Sequence, residues 1–146
     1  MKSARSFLVA LLVVAVLGCN GDVTGLAAEC TDDTGTVDVT VSDAAVPVLS
    51  WDPACSVAML LIEEDASDMW GLMSDSEDAA QANQISPPVT YGTVPAGVEA
   101  FGPSADLIRG VTYEVILWRV LPAGSTATCI QRNGDGCLMA VHEFVF

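Results

Sequence analysis

Short segments in which apolar and polar residues alternate are the feature that most limits what this chain can fold into. In residues 112–121, Tyr113, Val115 and Leu117 share one face, and Glu114 and Trp118 lie on the other. This period of two is typical of a β-strand with one buried face. The same reasoning predicts further strands at residues 36–42, 46–51, 56–64, 68–73 and 138–146, and two prolines confine residues 85–92 to an edge or an extended connection.

No segment of the chain gives a convincing helical pattern. Residues 75–84 are acidic and rich in alanine, and they fit either a single helical turn or a loop. About seven short strands separated by turn signals therefore predict an all-β fold, a sandwich or a barrel, over residues 36–146. The apolar fraction of 51% is large enough to fill the core of one domain of this size.

The chain contains five cysteines, and an even set remains when Cys19 is set aside. In an oxidising compartment, Cys30, Cys55, Cys129 and Cys137 predict two disulfides. A strong turn signal at residues 133–136 brings Cys129 towards Cys137, so Cys30 pairs with Cys55 by default. A zinc site is the alternative, but the spacing lacks the close cysteine pairs that such sites favour.

The first eighteen residues have the layout of a secretory signal peptide. Lys2 and Arg5 precede an apolar run over residues 7–17, which is too short to span a bilayer. The run ends at Gly18 and Cys19, and residues 16–19 resemble the lipobox of bacterial lipoproteins. The alternative is an ordinary signal peptide that is cut after Ala27 or Ala28.

The lipobox resemblance implies a location and an anchor. The thiol and the new amino group of Cys19 would carry acyl chains such as palmitate, and two or more chains hold a protein stably on a membrane. Asn20, in place of an aspartate at this position, implies the outer membrane. Residues 19–35 are then expected to form a flexible tether between the lipid and the folded domain.

The charge of the chain is strongly acidic. Loss of the leader leaves Arg109, Arg119 and Arg132 against nineteen acidic residues, which moves the formal charge from −14 to −16. Such a surface repels phosphate backbones and excludes nucleic acid as a partner. It suits cations, basic partners or a saline medium, in which a high charge preserves solubility.

Two motifs resemble the signatures of fibronectin type III domains, which are immunoglobulin-like sandwiches. These are residues 51–53, with the sequence Trp-Asp-Pro, and residues 107–115, which run from Leu107 to a Tyr-Glu-Val end. The resemblance spans residues 36–146 and implies a single antiparallel β-sandwich of about seven strands. It makes Trp51 the core tryptophan and Tyr113 the corner tyrosine, whose hydroxyl bonds to backbone near Leu107. It also brings Cys30 towards Cys55.

Few residues favour catalysis. His142 is the only histidine, and no Gly-x-Ser-x-Gly motif or free thiol accompanies it. We therefore expect no enzymatic activity and no cofactor, with a hydrolase that uses acidic loop residues as the rival hypothesis.

The other alternative is a calcium-stabilised, adhesin-like module, because hard oxygen ligands cluster in one region of the sequence. The calcium candidates are Glu63, Glu64, Asp65 and Asp68, with Asp75, Glu77 and Asp78 nearby.

An apolar group adjoins these acids. Met69, Trp70, Leu72 and Met73 either close the core together with Tyr91 or, if Trp70 is exposed, form a surface for protein contact. Taken together, the sequence predicts a lipid-anchored protein of the bacterial cell envelope with a binding or structural domain. The expected partners are the membrane and an envelope protein or polysaccharide.

Overall fold

The computed structural model describes residues 29–76 and 81–146, and this part of the chain is built from antiparallel strands without an α-helix. The two sheets form a β-sandwich, which confirms the predicted fold class. The strands are β1 (Asp38–Val41), β2 (Val48–Asp52), β3 (Met59–Glu64), β4 (Ser67–Ser74), β5 (Val89–Thr90), β6 (Val98–Phe101), β7 (Thr112–Val120), β8 (Gln131–Asn133) and β9 (Gly136–Val145).

The sheets differ in size. The smaller has the order β1-β2-β5, and the larger has the order β6-β4-β3-β7-β9-β8. The predicted strands are all present, with bounds that shift by a few residues. The sequence did not predict β6, because four residues carry too little alternation to stand out. No helix in residues 29–76 or 81–146 has the length and apolarity that a membrane span requires.

The core lies between the two sheets and contains both residues of the fibronectin-like motifs. Trp51 is buried, and its Nε1 donates a hydrogen bond to the carbonyl of Cys55 at 2.6 Å. Tyr113 is fully buried, and its hydroxyl accepts a hydrogen bond from the amide of Ile108 at 2.8 Å. This is the contact that a corner tyrosine makes with the backbone upstream of it.

The apolar group on β4 divides between the core and the surface. Trp70 is 1% exposed, and its ring centroid lies 5.0 Å from that of Tyr91. Leu72 is also buried, whereas Met73 is 49% exposed on the opposite face. Trp70 therefore closes the core.

Both predicted disulfides are present. Cys30 and Cys55 are joined with an S–S distance of 2.07 Å, and Cys129 and Cys137 with a distance of 2.04 Å. The second bridge flanks the hairpin of β8 and β9, where Asn133 pairs with Gly136 across the predicted turn. The pairing that the turn signal and elimination predicted is confirmed.

Contacts with the sandwich extend back to Cys30, ahead of the predicted boundary at residue 36. Besides the disulfide of Cys30, the carboxylate of Asp33 accepts a hydrogen bond from the amide of Thr126 at 2.7 Å. The guanidinium of Arg119 donates to the carbonyl of Thr31 at 2.8 Å. These contacts fix residues 30–35, which the sequence assigned to a flexible tether. The leader, Cys19 and the rest of the predicted tether lie outside the described residues, apart from Glu29.

One asparagine connects the segment after β4 to the end of β7. The side chain of Asn83 accepts a hydrogen bond from the amide of Val120 at 2.9 Å and donates to the carbonyl of the same residue at 2.7 Å. Residues 77–80 lie outside the described part of the chain. The described residues of this segment connect β4 to β5 without an α-helix.

Candidate interaction surface

The outer face of the six-stranded sheet, which is turned away from the core, carries a continuous row of apolar side chains. Leu60 and Ile62 of β3 point into the core, so their neighbours on β3 point outwards. The register then places Leu61 opposite Gly71 on one side and opposite Ile116 on the other, and Ile116 opposite Val141. Phe101 of β6 lies opposite Gly71 and completes this row.

A second apolar row lies beside the first. Met59 pairs with Met73 of β4 and with Trp118 of β7, and Trp118 pairs with Leu138 of β9. We call the two rows the apolar belt. Its members are Leu61, Phe101, Ile116, Val141, Met59, Met73, Trp118 and Leu138.

The glycine in the belt has a packing function. A Cβ atom at Gly71 would collide with the ring of Phe101, so this ring lies directly on the backbone of β4. Leu61, opposite Gly71 on β3, is buried, while Met73 and Val141 remain 49% and 45% exposed. Large apolar side chains at the edges of the belt are thus open to solvent, although every belt residue belongs to a regular strand.

An acidic row borders the belt. Glu63 pairs with Glu114, and Glu114 pairs with Glu143, so three carboxylates lie side by side on β3, β7 and β9. Burial raises the pKa of Glu63, and the negative charges of Asp68 and Glu114 and a side-chain hydrogen bond with Asp68 raise this pKa further. The three glutamates line a shallow hollow of about 160 Å³ together with Asp65, Ala66 and Thr112.

The structure does not support the predicted calcium loop. Glu63 and Glu64 belong to β3, Asp68 belongs to β4, and Asp65 lies in the two-residue turn between these strands. Neighbouring side chains on a strand point to opposite faces, so Glu64 is turned away from Glu63, which shares a side-chain hydrogen bond with Asp68. Among the described residues, no three His, Cys, Asp or Glu side chains are grouped so that they could hold a metal ion. Glu77 and Asp78 lie outside this part of the chain.

The remaining residues considered for chemistry lie among contacts that hold the domain together. His142 is partly buried opposite Val115, on the core side of β9. All four described cysteines are in disulfides. Burial lowers the pKa of Arg119, an effect that the charge of Asp32 opposes, and its guanidinium donates hydrogen bonds to two carbonyls of residues 30–35. Arg119 therefore ties the start of the domain to β7.

Sequence reasoning missed the belt and the acidic row. The signal was present in part, because residues 112, 114, 116 and 118 share one face of β7, and this face mixes polar with apolar side chains. What the sequence could not supply was the order of the strands beside β7.

Comparisons with known proteins add no functional information. The chain matches no family model, no curated protein and no solved structure. The assignment of a function therefore depends on the geometry of the domain and on the motifs of the sequence.

Proposed function

We propose that this protein is a non-catalytic binding protein of the bacterial cell envelope, anchored to a membrane through Cys19, and that the apolar belt is its contact surface. The belt is the observation that carries the binding role. It is rich in methionine and aromatic side chains, which are enriched in protein interfaces. A partner that covers it would remove Met73, Trp118 and Val141 from water.

The size of the belt fits a protein contact. Strands lie about 4.8 Å apart and residues on one face repeat about every 6.8 Å, so one row across five strands and one across four cover roughly 290 Å². Apolar patches of a few hundred Å² on soluble proteins are often functional. Stable complexes bury about 800 Å² per partner, so the contact would extend beyond the belt, across the acidic row.

The acidic row favours a basic partner over a small-molecule substrate. Ligand pockets usually enclose about 300–1,000 Å³. The hollow beside Glu63 encloses only about 160 Å³ and is open to solvent. It can receive the end of one lysine or arginine side chain, which would relieve the repulsion among the three glutamates.

We further propose that the domain is fibronectin type III-like. The two sheets, the buried Trp51 and the hydrogen bond from Ile108 to the hydroxyl of Tyr113 support this relationship. Sandwich folds carry many unrelated functions, so the fold supports a scaffold for binding and does not identify the partner.

The anchor would keep the domain near the membrane. The lipobox-like residues 16–19 support acylation of Cys19. Because Cys30 is bonded to Cys55 of the sandwich, residues 19–29 could span at most about 40 Å when fully extended. The anchor would therefore keep Cys30 within this distance of the membrane surface.

Photo-crosslinking in the producing cells tests the binding role. A photoreactive amino acid at Met73 or at Trp118 is expected to give a discrete crosslinked species. The matched control is Thr90, an exposed position on β5 in the small sheet. Equal yields at all three positions, or no product at Met73 and Trp118, would contradict the proposal.

The intact mass of the protein from the membrane fraction tests the anchor. We expect a chain that begins at Cys19 and carries the mass of its acyl groups. A Cys19→Ala variant is expected to lose this mass. A soluble, unmodified chain that begins near Glu29 would overturn the proposed anchor and would leave the binding role to be decided by the crosslinks.

A further inference from the structure

Strand β9 has a long edge that its neighbour covers only in part. It runs over ten residues, but β8 pairs with it only at residues 136–138. Beyond this point the edge faces the start of β1, and the amide of Val37, just before β1, donates a backbone hydrogen bond to the carbonyl of Met139 at 3.3 Å. An open groove of about 420 Å³ follows, with Asp38, Val39 and His142 among its lining residues.

The register shows which backbone groups face the groove. The amide of Phe146 donates to the carbonyl of Val111, which fixes the alternation of hydrogen bonds along the ladder of β7 and β9. The amide and carbonyl groups of residues 140, 142 and 144 therefore point to β7. Those of Val141, Glu143 and Val145 point away from it, and no described residue pairs with them.

The side chains of Val141, Glu143 and Val145 determine which residue types would pair with them on a further strand added to this edge. Val141 and Val145 are 45% and 67% exposed on the outer face, with Glu143 between them. Directly opposite residues on neighbouring strands interact, so an added strand would favour apolar residues opposite the two valines and a basic residue opposite Glu143. The basic residue would lie at the end of the acidic row and would supply a positive charge opposite Glu143.

The charges within the domain leave the acidic row without a counter-ion. Arg109 forms a salt bridge with Asp43 at 2.8 Å. Arg119 bonds to Thr31, and Arg132 bonds to the backbone of Gly134. The three arginines of the described chain are thus engaged elsewhere. A second copy of the chain is a poor occupant, because pairing of two β9 edges about Glu143 would oppose two carboxylates on two strongly acidic chains.

We propose that β9 binds an extended segment of a partner protein as an additional strand, and that this segment carries a lysine or arginine between two apolar residues, at positions i, i+2 and i+4. The inference rests on the proposed binding function and specifies how the partner is recognised. Main-chain hydrogen bonds would supply affinity, and the alternating side chains would supply selectivity. The body of the partner would then cover the adjacent belt.

A synthetic peptide tests this recognition. The probe is a labelled heptapeptide with valine at its second and sixth positions, lysine at its fourth and threonine elsewhere, and fluorescence anisotropy reports its binding to the intact protein. We expect saturable binding that the Glu143→Lys variant weakens at least about tenfold. A peptide with glutamate in place of lysine is expected to bind this variant better than it binds the native protein.

Two controls separate this mechanism from attraction to an acidic surface. Glu99 lies on the same face of the sheet but on β6, at the opposite edge, so the Glu99→Lys variant is expected to bind the lysine peptide as the native protein does. N-methylation of the peptide blocks its backbone donors. One peptide carries methyl groups at positions two, four and six, and another carries them at positions three and five. The two peptides should lose affinity to different extents, because only one set of amides faces β9.

Amide hydrogen exchange decides whether a strand is added. Saturating peptide is expected to slow exchange at Val141, Glu143 and Val145 at least about tenfold. Absence of binding at millimolar peptide, or binding without this protection, would overturn the inference. Protection that appears without peptide when the protein concentration rises would overturn it as well. Crosslinks from Met73 and Trp118 report the belt independently, so the proposed function can survive the failure of strand addition.

Discussion

The acidic row leads to a quantitative prediction about Glu114. This residue lies between Glu63 and Glu143 on adjacent strands, so it has a like charge directly opposite on each side. A directly opposed cross-strand pair contributes about 0.2–1 kcal/mol, and like charges are unfavourable. Replacement of Glu114 by Gln removes two such pairs and keeps the side-chain size. We therefore expect the variant to be more stable by about 1 kcal/mol at neutral pH and low salt.

The assay is urea or thermal unfolding, with variants that share the same charge change. A gain of about 1 kcal/mol corresponds to about 4 °C in the midpoint for a domain of this length. Glu143→Gln removes one opposed pair, and we expect about half the gain. Glu99→Gln is the control, because Glu99 pairs with Met73 and faces no carboxylate across the strands.

The dependence of this stability gain on pH and salt shows whether charge repulsion causes it. The pKa of Glu63 is raised in the folded state, mainly by burial and then by Asp68 and Glu114, so the folded state holds this proton more tightly than the unfolded state does. Stability is therefore lost as the pH rises from the unfolded pKa, near 4.5, through the higher folded pKa. The gain from Glu114→Gln should appear above this window, vanish below it and shrink in 1 M salt, where the Debye length is about 3 Å.

A specific result would refute this reasoning. If Glu114→Gln is destabilising, or if its effect equals that of Glu99→Gln at every pH, the three glutamates do not repel one another through the register described above. A lowered pKa of Glu63 in the Glu114→Gln variant, measured by NMR titration, is the direct sign that the two carboxylates interact.

Three further predictions concern the contacts that hold the sandwich together. Tyr113→Phe deletes the hydroxyl that accepts the hydrogen bond of Ile108, and we expect a loss of about 1 kcal/mol in chemical unfolding. Asn83→Ala deletes both side-chain hydrogen bonds to the end of β7, and we expect a loss of about 2 kcal/mol together with faster amide exchange at that end. Replacing both cysteines of a bridge by alanine should cost about 3.5 kcal/mol for Cys30–Cys55 and about 2.5 kcal/mol for Cys129–Cys137, because the first bridge closes the longer loop; equal losses would contradict the loop-length argument.

Much of the sandwich could be predicted because its signals are local. The alternation in residues 112–121 fixes which side chains of β7 share a face, and the turn at residues 133–136 fixes the pairing of Cys129 with Cys137. The extent of the domain was harder to predict from the sequence. Residues 30–35 have no periodic pattern, and they are fixed by contacts with Arg119 and Thr126, which lie far along the chain.

The four calcium candidates do not form one cluster, for a physical reason. Residues 63–68 are close in sequence, but a tight hairpin places them on two strands whose successive side chains point to opposite faces. Closeness along the chain therefore brought Glu63 and Asp68 together but did not gather all four candidate carboxylates at one point. The fold also brings together the carboxylates of residues 63, 114 and 143, which no local pattern connects.

By itself, the sequence determined most of the strands, the two disulfides and the side chains that share a face on each strongly alternating strand, since these depend on spacing along one segment. It also carries the lipobox-like leader, whose role stays a prediction. The tertiary structure alone decided which strands are neighbours and in what register, and these choices create the apolar belt, the acidic row and the free edge of β9. Each of these surfaces joins residues from several strands, and strand order is set by packing of the whole domain, which no single segment encodes.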